Sequence, residues 1–341
     1  MKLMRYLSKL MSILACLHLW SCDVHEFPYP IDEEEDDTAA FVLHLDYDSN
    51  IPLYKTVEYT EDARSLDKSK HDMRYIVKVY PETSDKDSDE LYHFVFTKDD
   101  VTVLNHSVTL ELKKGNYKFL VWSDYVSEGS KADYLYNTPA FGNITLKGEE
   151  YQVNTDAKDA FRGSVVSEVS DIVTSAHVQM ERPLAKLYFI SKDWENFVIK
   201  FDENVEVRTA SDAASSRAIN LDDYKVAFRY QGNLPNAYNM HTDLSAGPLA
   251  EMSFESTLKQ FGETEVEFGF DYLFAELTET SINVTVEISD KDGNLLSSFT
   301  SMAIPYVRGK MTVVELEFKA QESNDGAAID PDYNGDFNIK I

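Results

Sequence analysis

The sequence predicts an all-β protein, and three observations support that class. First, apolar and polar residues alternate over several stretches, which is the period of a strand with one buried face. Second, short sequences containing glycine and asparagine separate such stretches and are typical of tight turns. Third, no amphipathic helical pattern extends beyond a few turns. Many short strands separated by turns predict β-sandwiches rather than a parallel sheet with crossover helices.

Candidate strands are spread along the chain from Phe41 onward. The strictest alternation lies at 107–112, 224–230, 282–288 and 312–318. Further strand candidates are 41–47, 73–80, 91–97, 115–123 and 184–190. The turn candidates are 114–116, 292–294 and 334–335. We expect each alternating segment to bury one face and to expose the other.

With 341 residues, the chain is long enough for two domains of ordinary size. Pro183 lacks a backbone N–H for a strand ladder, so it suits the join before a new strand at Leu184. We therefore predict an N-terminal β-sandwich over 41–182 and a C-terminal β-sandwich over 183–320. The polar composition that follows predicts a tail over 321–341, whose end, 337–341, is a candidate last strand.

The composition is that of a packed but strongly acidic protein. Hydrophobic residues make up 43% of the chain, which argues against wholesale disorder. Sixty acidic residues against 32 basic ones give a formal net charge of −28, so the surface repels nucleic-acid phosphates and nucleic acid is excluded as a partner. The two cysteines, Cys16 and Cys22, both lie near the start, so no disulfide framework or thiolate metal site is expected in the body.

Residues 1–21 have the organisation of a signal peptide. Met1 to Lys9 contains three basic residues and no acid, and an apolar stretch from Leu10 to Trp20 follows. That stretch is too short to span a bilayer. It ends at Leu19-Trp20-Ser21-Cys22, which resembles the lipobox of bacterial lipoprotein precursors. In that class the cysteine is acylated and becomes the first residue of the mature chain, so Cys22 is the predicted lipidation site. Cys16 also follows such a pattern but leaves too few apolar residues before it.

Residues 22–40 are predicted to form an extended acidic tether. Two prolines accompany the run Asp32-Glu33-Glu34-Glu35-Asp36-Asp37, and like charges in such a run repel one another. Acidic residues after a lipidated cysteine resemble the signal that sends lipoproteins of Bacteroides-type anaerobes to the cell surface. We therefore expect an outer-membrane location, with a lipid anchor as the sole membrane contact and the cell surface as the destination.

The sequence carries no recognisable catalytic or cofactor motif. The eight histidines are scattered, and no pair has the spacing of a helical zinc-protease motif. Phosphate-binding loops, dinucleotide fingerprints and serine nucleophile elbows are absent. We predict a protein that is not an enzyme and has no catalytic residue, cofactor or metal site.

One tail segment resembles the start of a calcium loop. Asp330, Asp332, Asn334 and Gly335 repeat the opening of an EF-hand loop, but Ile341 stands at the position of the closing glutamate. A tight turn leading into a final strand is the favoured interpretation, and calcium binding is the alternative.

Aromatic residues raise the alternative of carbohydrate binding. Trp122, Trp194 and the 20 tyrosines could supply stacking platforms for sugars. Packing in a core or between domains is the favoured role of Trp122, and a glycan site is the alternative.

Several motifs together resemble the fimbrillin superfamily of Bacteroidales, the subunits and anchors of surface fimbriae. They are Gly115 to Tyr125 (GNYKFLVWSDY), Asp159 to Gly163 (DAFRG), Arg182 to Lys186 (RPLAK), Ile304 to Lys310 (IPYVRGK) and Ile329 to Phe337 (IDPDYNGDF). The opening Cys22 to Pro28 (CDVHEFP) resembles a lipoprotein subgroup of that superfamily. Each motif is structural, and none specifies a ligand.

The resemblance implies two tandem transthyretin-like or immunoglobulin-like sandwiches on a lipid anchor. In polymerising members, cleavage after an arginine removes the first strand, and a strand of a neighbouring subunit fills the groove. Anchor members keep their N-terminus. Arg64 and Arg74 lie near the first strands, but nothing marks either as a cleavage site, and cleavage would also remove the lipid.

Two functions follow as alternatives. The first is a fimbrial anchor or accessory subunit that joins fimbrial subunits or other surface proteins by β-strand addition. The second is a surface lipoprotein that binds glycan or another cell-surface protein.

Overall fold

The computed structural model describes residues 37–47, 70–101, 105–148, 151–201, 219–261 and 265–318. These residues form seventeen strands and one short α-helix. The strands are β1 (Thr38–Tyr47), β2 (His71–Pro81), β3 (Tyr92–Lys98), β4 (His106–Lys113), β5 (Gly115–Ser127), β6 (Tyr136–Asn137), β7 (Ile144–Leu146), β8 (Ala160–Val169), β9 (Ser175–Met180), β10 (Leu184–Ser191), β11 (Tyr224–Asn239), β12 (Leu244–Thr257), β13 (Lys259–Phe261), β14 (Glu265–Phe274), β15 (Thr280–Asp290), β16 (Leu295–Tyr306) and β17 (Met311–Glu315). The helix, α1, is Trp194–Phe201. The all-β class is confirmed.

The strands form four sheets. The first half of the chain contributes a three-stranded sheet, in the order β4-β1-β9, and a four-stranded sheet, in the order β3-β2-β5-β8. The second half contributes the four-stranded sheet β13-β14-β10-β17 and most of a larger sheet, β16-β15-β11-β7-β6, in which β12 also pairs with β11. Most neighbours are antiparallel, but β1 runs parallel to β9 and β10 runs parallel to β17.

The strictest alternation of the sequence is reproduced as alternating burial. In β4, Val108, Leu110 and Leu112 are buried, whereas the residues between them are exposed. The segments at 224–230 and 282–288 likewise bury their apolar members within β11 and β15. The fourth segment spans β17 and continues beyond it to the buried Phe318.

The other predicted strands are present with shifted ends. The segment 41–47 lies in β1, 73–80 in β2, 115–123 in β5 and 184–190 in β10. The predicted strand 91–97 starts one residue before β3. Because β1 begins at Thr38, the last three residues of the predicted tether, 38–40, are part of a strand. Thr38 is paired with Lys113 of β4.

The two turn predictions that fall on described residues lie between consecutive strands. Lys114 is the one residue between β4 and β5, which belong to different sheets, so the connection is shorter than the predicted segment 114–116. Between β15 and β16 the Asp290 carboxylate accepts from the backbone N–H groups of Asp292 and Asn294, and Gly293 has a φ of 86°. The turn candidate at 334–335 lies outside the described residues.

Two hydrophobic cores organise the described part of the chain. The first lies mainly between the β4-β1-β9 and β3-β2-β5-β8 sheets, and Tyr188, Phe270 and Tyr272 from β10 and β14 also belong to it. The second lies between the opposite face of β10 and β14 and the sheet of β11, β15 and β16. The β10-β14 layer therefore contributes apolar side chains to both cores.

The predicted boundary between 182 and 183 falls immediately before β10. Strands β6 and β7 come from the N-terminal side of that boundary, yet β7 pairs with β11 on the C-terminal side. The division into domains at 41–182 and 183–320 therefore stays a prediction, with one sheet that draws strands from both parts.

Helix α1 packs Trp194 and Phe197 into the second core. Trp194 is buried and lies edge-on to Tyr224 and Phe268, with ring centroids 5.1 and 5.4 Å apart. No helix within the described ranges is both long and apolar enough to cross a membrane.

Candidate assembly site

Strand β1 occupies the centre of its sheet. It pairs antiparallel with β4 on one side and parallel with β9 on the other. On its inner face Phe41, Leu43 and Leu45 are fully buried. The ring of Phe41 stacks on that of Phe119 of β5, with centroids 5.3 Å apart. Strand β1 is therefore an integral part of the first core.

Removal of β1 would open a groove between β4 and β9. Each of these two strands has β1 as its one ladder partner among the described strands. Such a groove exposes backbone hydrogen-bonding groups along both walls and apolar side chains on its floor, which are the features that a donated strand needs. The occupant in this chain is its own N-terminal strand.

The described sheets also end in free edges. Strands β3 and β8 are the outer members of one sheet, and β13 and β17 are the outer members of another. The edge of β8 is free only in part, because Arg162 forms an isolated bridge with Glu181. Free edges present unpaired N–H and C=O groups to an incoming strand. Strand β17 is the last described strand, and its apolar residue Val314 is buried, so its inner face is already packed.

A buried polar cluster, which we call the junction, holds the segment Asp156–Arg162 against the β10-β14 layer. Lys158 donates to Asp271 of β14 over 2.7 Å, and their side chains are 2% and 0% exposed. Lys186 of β10 donates to Asp156 over 2.9 Å, with both side chains below one-tenth exposed. These pairs tie a segment from the first half of the chain to strands from the second half.

Burial controls the protonation equilibria of the Lys158–Asp271 pair. Burial raises the pKa of Asp271 above its ordinary value, and the nearby Lys158 ammonium counters only part of that effect. Burial likewise lowers the pKa of Lys158, with Asp271 opposing. The Tyr151 hydroxyl donates to the second oxygen of Asp271 at 2.8 Å, which satisfies the carboxylate further.

Arginine residues from three of the resemblance motifs reach the same region. Arg182 donates to Asp159 at 2.9 Å, and the Asp159 carboxylate keeps the pKa of Arg182 raised although burial opposes this. Arg162 and Arg308 both donate to Asp243, at 2.6 and 3.0 Å. Motifs far apart in the sequence therefore meet through ion pairs, which gives them a structural role.

The glycine of the DAFRG motif, Gly163, has a packing role. It lies on β8 where β9 approaches closely. A Cβ at this position would meet a side-chain carbon of Val178 at 2.5 Å and the backbone oxygen of Gln179 at 2.9 Å. Only the absence of a side chain permits this approach between the strands.

Of the two arginines near the first strands, the structure describes Arg74. Arg74 is 2% exposed and donates to both oxygens of Asp124, at 2.8 and 2.6 Å, so it is closed to a protease in the folded protein. Arg64, Cys22 and the calcium candidates Asp330, Asp332 and Asn334 lie outside the described residues.

Trp122 is part of the core, which was its favoured role. Its side chain is fully buried, and its ring lies 5.3 Å from that of Tyr136 and 6.5 Å from that of Tyr238. Trp194 is buried as well. Neither indole can stack on a sugar, so the two tryptophans give the glycan alternative no support.

Within the parts of the chain that the structure describes, no cluster of three or more metal-binding side chains is found. The histidines do not converge on a single place, although His44 and His177 lie side by side on β1 and β9. Sequence reasoning missed this pair, because the two residues are distant in the chain and only strand pairing brings them together.

Comparison with family models identifies the chain's family. Residues 33–341 match the family of unknown function DUF6562, and the chain belongs to that family. The match begins after Pro28, so it does not include the opening that suggested a lipoprotein subgroup. No curated protein matches the chain.

Comparison with solved structures finds distant likenesses. A candidate adhesin from Bacteroides thetaiotaomicron shares 12% identity over 76% of this chain and 79% of its own, with a TM-score of 0.44. The fimbrial anchor protein Mfa2 from Porphyromonas gingivalis shares 12% identity over 77% of this chain and 82% of its own, with a TM-score of 0.38. A candidate polysaccharide-binding protein from B. thetaiotaomicron shares 12% identity over 77% and 80%, with a TM-score of 0.43. At these scores no function is transferred from them.

Proposed function

We propose that the chain is a lipid-tethered surface subunit, of the fimbrial anchor or accessory type, that joins other surface proteins by β-strand addition. The proposal combines the lipobox-like sequence at Cys22, the fimbrillin resemblance of the motifs and the position of β1. It places the protein at the outer membrane with its body on the cell surface. It involves no catalytic step and no cofactor.

The position of β1 is the observation that carries this proposal. A tether that starts at Cys22 leads into a strand that is hydrogen-bonded on both sides and packed on the first core. Force applied to the lipid anchor would therefore be carried by a ladder on each side of β1. A subunit that surrenders its first strand would lose both this ladder and its anchor, so a retained β1 favours an anchor over a polymerised shaft.

The free edges supply the surface for assembly in this proposal. Because β1 fills the groove between β4 and β9, a partner strand would add to an outer edge such as β3, β8 or β17. Backbone hydrogen bonds would supply affinity, and the side chains beside the edge would set the register.

Membrane attachment can be tested with the two cysteines. In the native bacterium, wild-type protein and the Cys16→Ser variant should be acylated and should partition with the outer membrane, whereas Cys22→Ser should not. Mass spectrometry of the mature N-terminus checks this directly. An unacylated N-terminus in wild-type material, or a chain that begins after an arginine, would contradict the anchor role.

Assembly can be tested by shearing fimbriae from the same strains. Wild-type protein should be recovered with the fimbriae, and loss of the chain should leave fimbriae longer or detached from cells. Recovery solely as a free monomer, with fimbriae unchanged in its absence, would contradict the proposal while leaving the membrane attachment intact.

A further inference from the structure

We propose that His44 and His177 form a surface site for a divalent transition-metal ion that favours imidazole ligands, such as Zn²⁺. The site lies on the outer face of the β4-β1-β9 sheet, which is opposite the face that packs on the first core. This proposal does not depend on the assembly role.

Strand pairing sets the two histidines directly beside each other. His44 of β1 and His177 of β9 are register partners in the parallel ladder. Their rings stack with centroids 4.6 Å apart and planes 26° from parallel, so binding of one ion by both requires the rings to turn until their Nε2 atoms converge. Leu43 and Val178 point to the core, so the alternation of each strand turns both imidazoles outward.

Each of the two rings is held by a hydrogen bond at its Nδ1 atom. Nδ1 of His177 lies 2.8 Å from the Asp46 carboxylate, which can only accept when ionised, so Nδ1 carries the proton. In the tautomer with its single proton on Nδ1, Nε2 is the ring atom available to a metal. A carboxylate behind a histidine is the usual arrangement in protein metal sites, where it orients the ring and raises its basicity.

His44 is held on its other side by a hydroxyl. Its Nδ1 is hydrogen-bonded to the Ser107 hydroxyl of β4 at 2.8 Å. A hydroxyl can donate or accept, and Nε2 of His44 can bind a metal in the tautomer in which Nδ1 donates to Ser107. Within the described residues, neither His44 nor His177 forms a hydrogen bond through Nε2.

The donor set indicates the class of ion. Two imidazole nitrogens suit Zn²⁺, Ni²⁺ or Cu²⁺, whereas Ca²⁺ and Mg²⁺ require oxygen ligands. Two protein ligands leave the remaining coordination positions to water or to a partner's side chain. An ion bound there would join β1 to β9, so it would strengthen the parallel side of the strand that follows the tether.

The experiment is a Zn²⁺ titration of the full mature chain by calorimetry, with excess Mg²⁺ present to occupy the many surface carboxylates. Wild-type protein should bind one Zn²⁺ saturably. His44→Gln and His177→Gln should each weaken binding by at least about tenfold, and Asp46→Asn should weaken it by roughly tenfold through its effect on His177. His93→Gln is the matched control, because His93 is also exposed on a strand, at 42%.

Two further measurements keep the test independent of folding. Circular dichroism should be the same for all variants, and Zn²⁺ should raise the wild-type thermal midpoint but not that of the His44→Gln variant. Imidazole NMR signals of His44 and His177, and not of His93, should shift with Zn²⁺. Absence of saturable binding, or equal affinity in wild type and the His44→Gln/His177→Gln double variant, would overturn the proposal.

Discussion

The inner face of β1 and the junction are both fully buried, but they are built from different chemistry. Strand β1 meets the first core through apolar side chains such as Phe41, Leu43 and Leu45. The junction meets the β10-β14 layer through ion pairs, of which Lys158–Asp271 is the most deeply buried. Apolar packing accepts any strand of suitable shape, whereas a buried ion pair demands its exact partner. Another strand could therefore replace β1 in principle, whereas the junction fixes how the two halves of the chain join.

The comparison predicts the largest effect for a change that breaks one ion pair. Asp271→Asn keeps the oxygen that accepts from Tyr151 but leaves the Lys158 ammonium buried without a counter-charge. We expect the free energy of unfolding to fall by about 4 kcal/mol, because an uncompensated buried charge is costly. Equilibrium urea denaturation measures this value.

A second variant tests whether the loss comes from charge. The Asp271→Asn/Lys158→Met double variant removes the ammonium as well and should recover much of the stability lost by the single variant. If Asp271→Asn alone lowers the free energy of unfolding by less than about 1 kcal/mol, the Lys158–Asp271 pair does not fix how the two halves of the chain join.

A smaller effect is expected for the apolar region. Leu43→Ala removes a fully buried side chain from β1 and should lower the free energy of unfolding by about 3 kcal/mol. Val42→Ala, on the outer face of the same strand, should change it by less than about 1 kcal/mol. Urea denaturation of the two variants measures the difference, and equal losses would mean that β1 is not held through its inner face.

The sequence predicted the strands whose two faces meet different surroundings. The alternating segments in β4, β11 and β15 were found because one face of each is buried and the other is more exposed. Strand β14 was not among the candidates, although its sequence alternates as strictly as theirs, with Val266, Phe268 and Phe270 separated by polar residues or glycine. The pattern could have indicated the strand, but not that its polar residues Glu267 and Asp271 are buried, because their partners lie elsewhere in the chain.

The contacts that define the candidate site could not be predicted in the same way. Lys158 and Asp271 are separated by 113 positions, and nothing local to either residue indicates the other. His44 and His177 meet only because β1 and β9 pair in parallel. The motifs at Asp159–Gly163 and Arg182–Lys186 were recognised in the sequence. Their role is to form the junction, and the contacts that form it are visible only in the folded chain.

The smallest predicted effect concerns Asp87, whose carboxylate is a partly exposed counterpart of the junction. It accepts the backbone N–H groups of Phe141 and Gly142 at 2.9 and 2.8 Å, and the His241 ring lies 3.1 Å away. Burial alone would raise its pKa, but the Gly142 amide, His241 and the Phe141 amide together lower the pKa of Asp87 below its ordinary value.

A carboxyl group with a lowered folded-state pKa stabilises the fold above its unfolded-state pKa, near 4, and loses that effect as the pH falls through the folded value. Asp87→Asn should therefore cost about 1 kcal/mol at pH 7 and less as the pH falls below about 4. Urea denaturation at a series of pH values measures the difference, with the exposed neighbour Asp85→Asn as control. Because solvent reaches Asp87, its loss should remain well below that of Asp271, and a loss of equal size would show that burial does not separate the two kinds of contact.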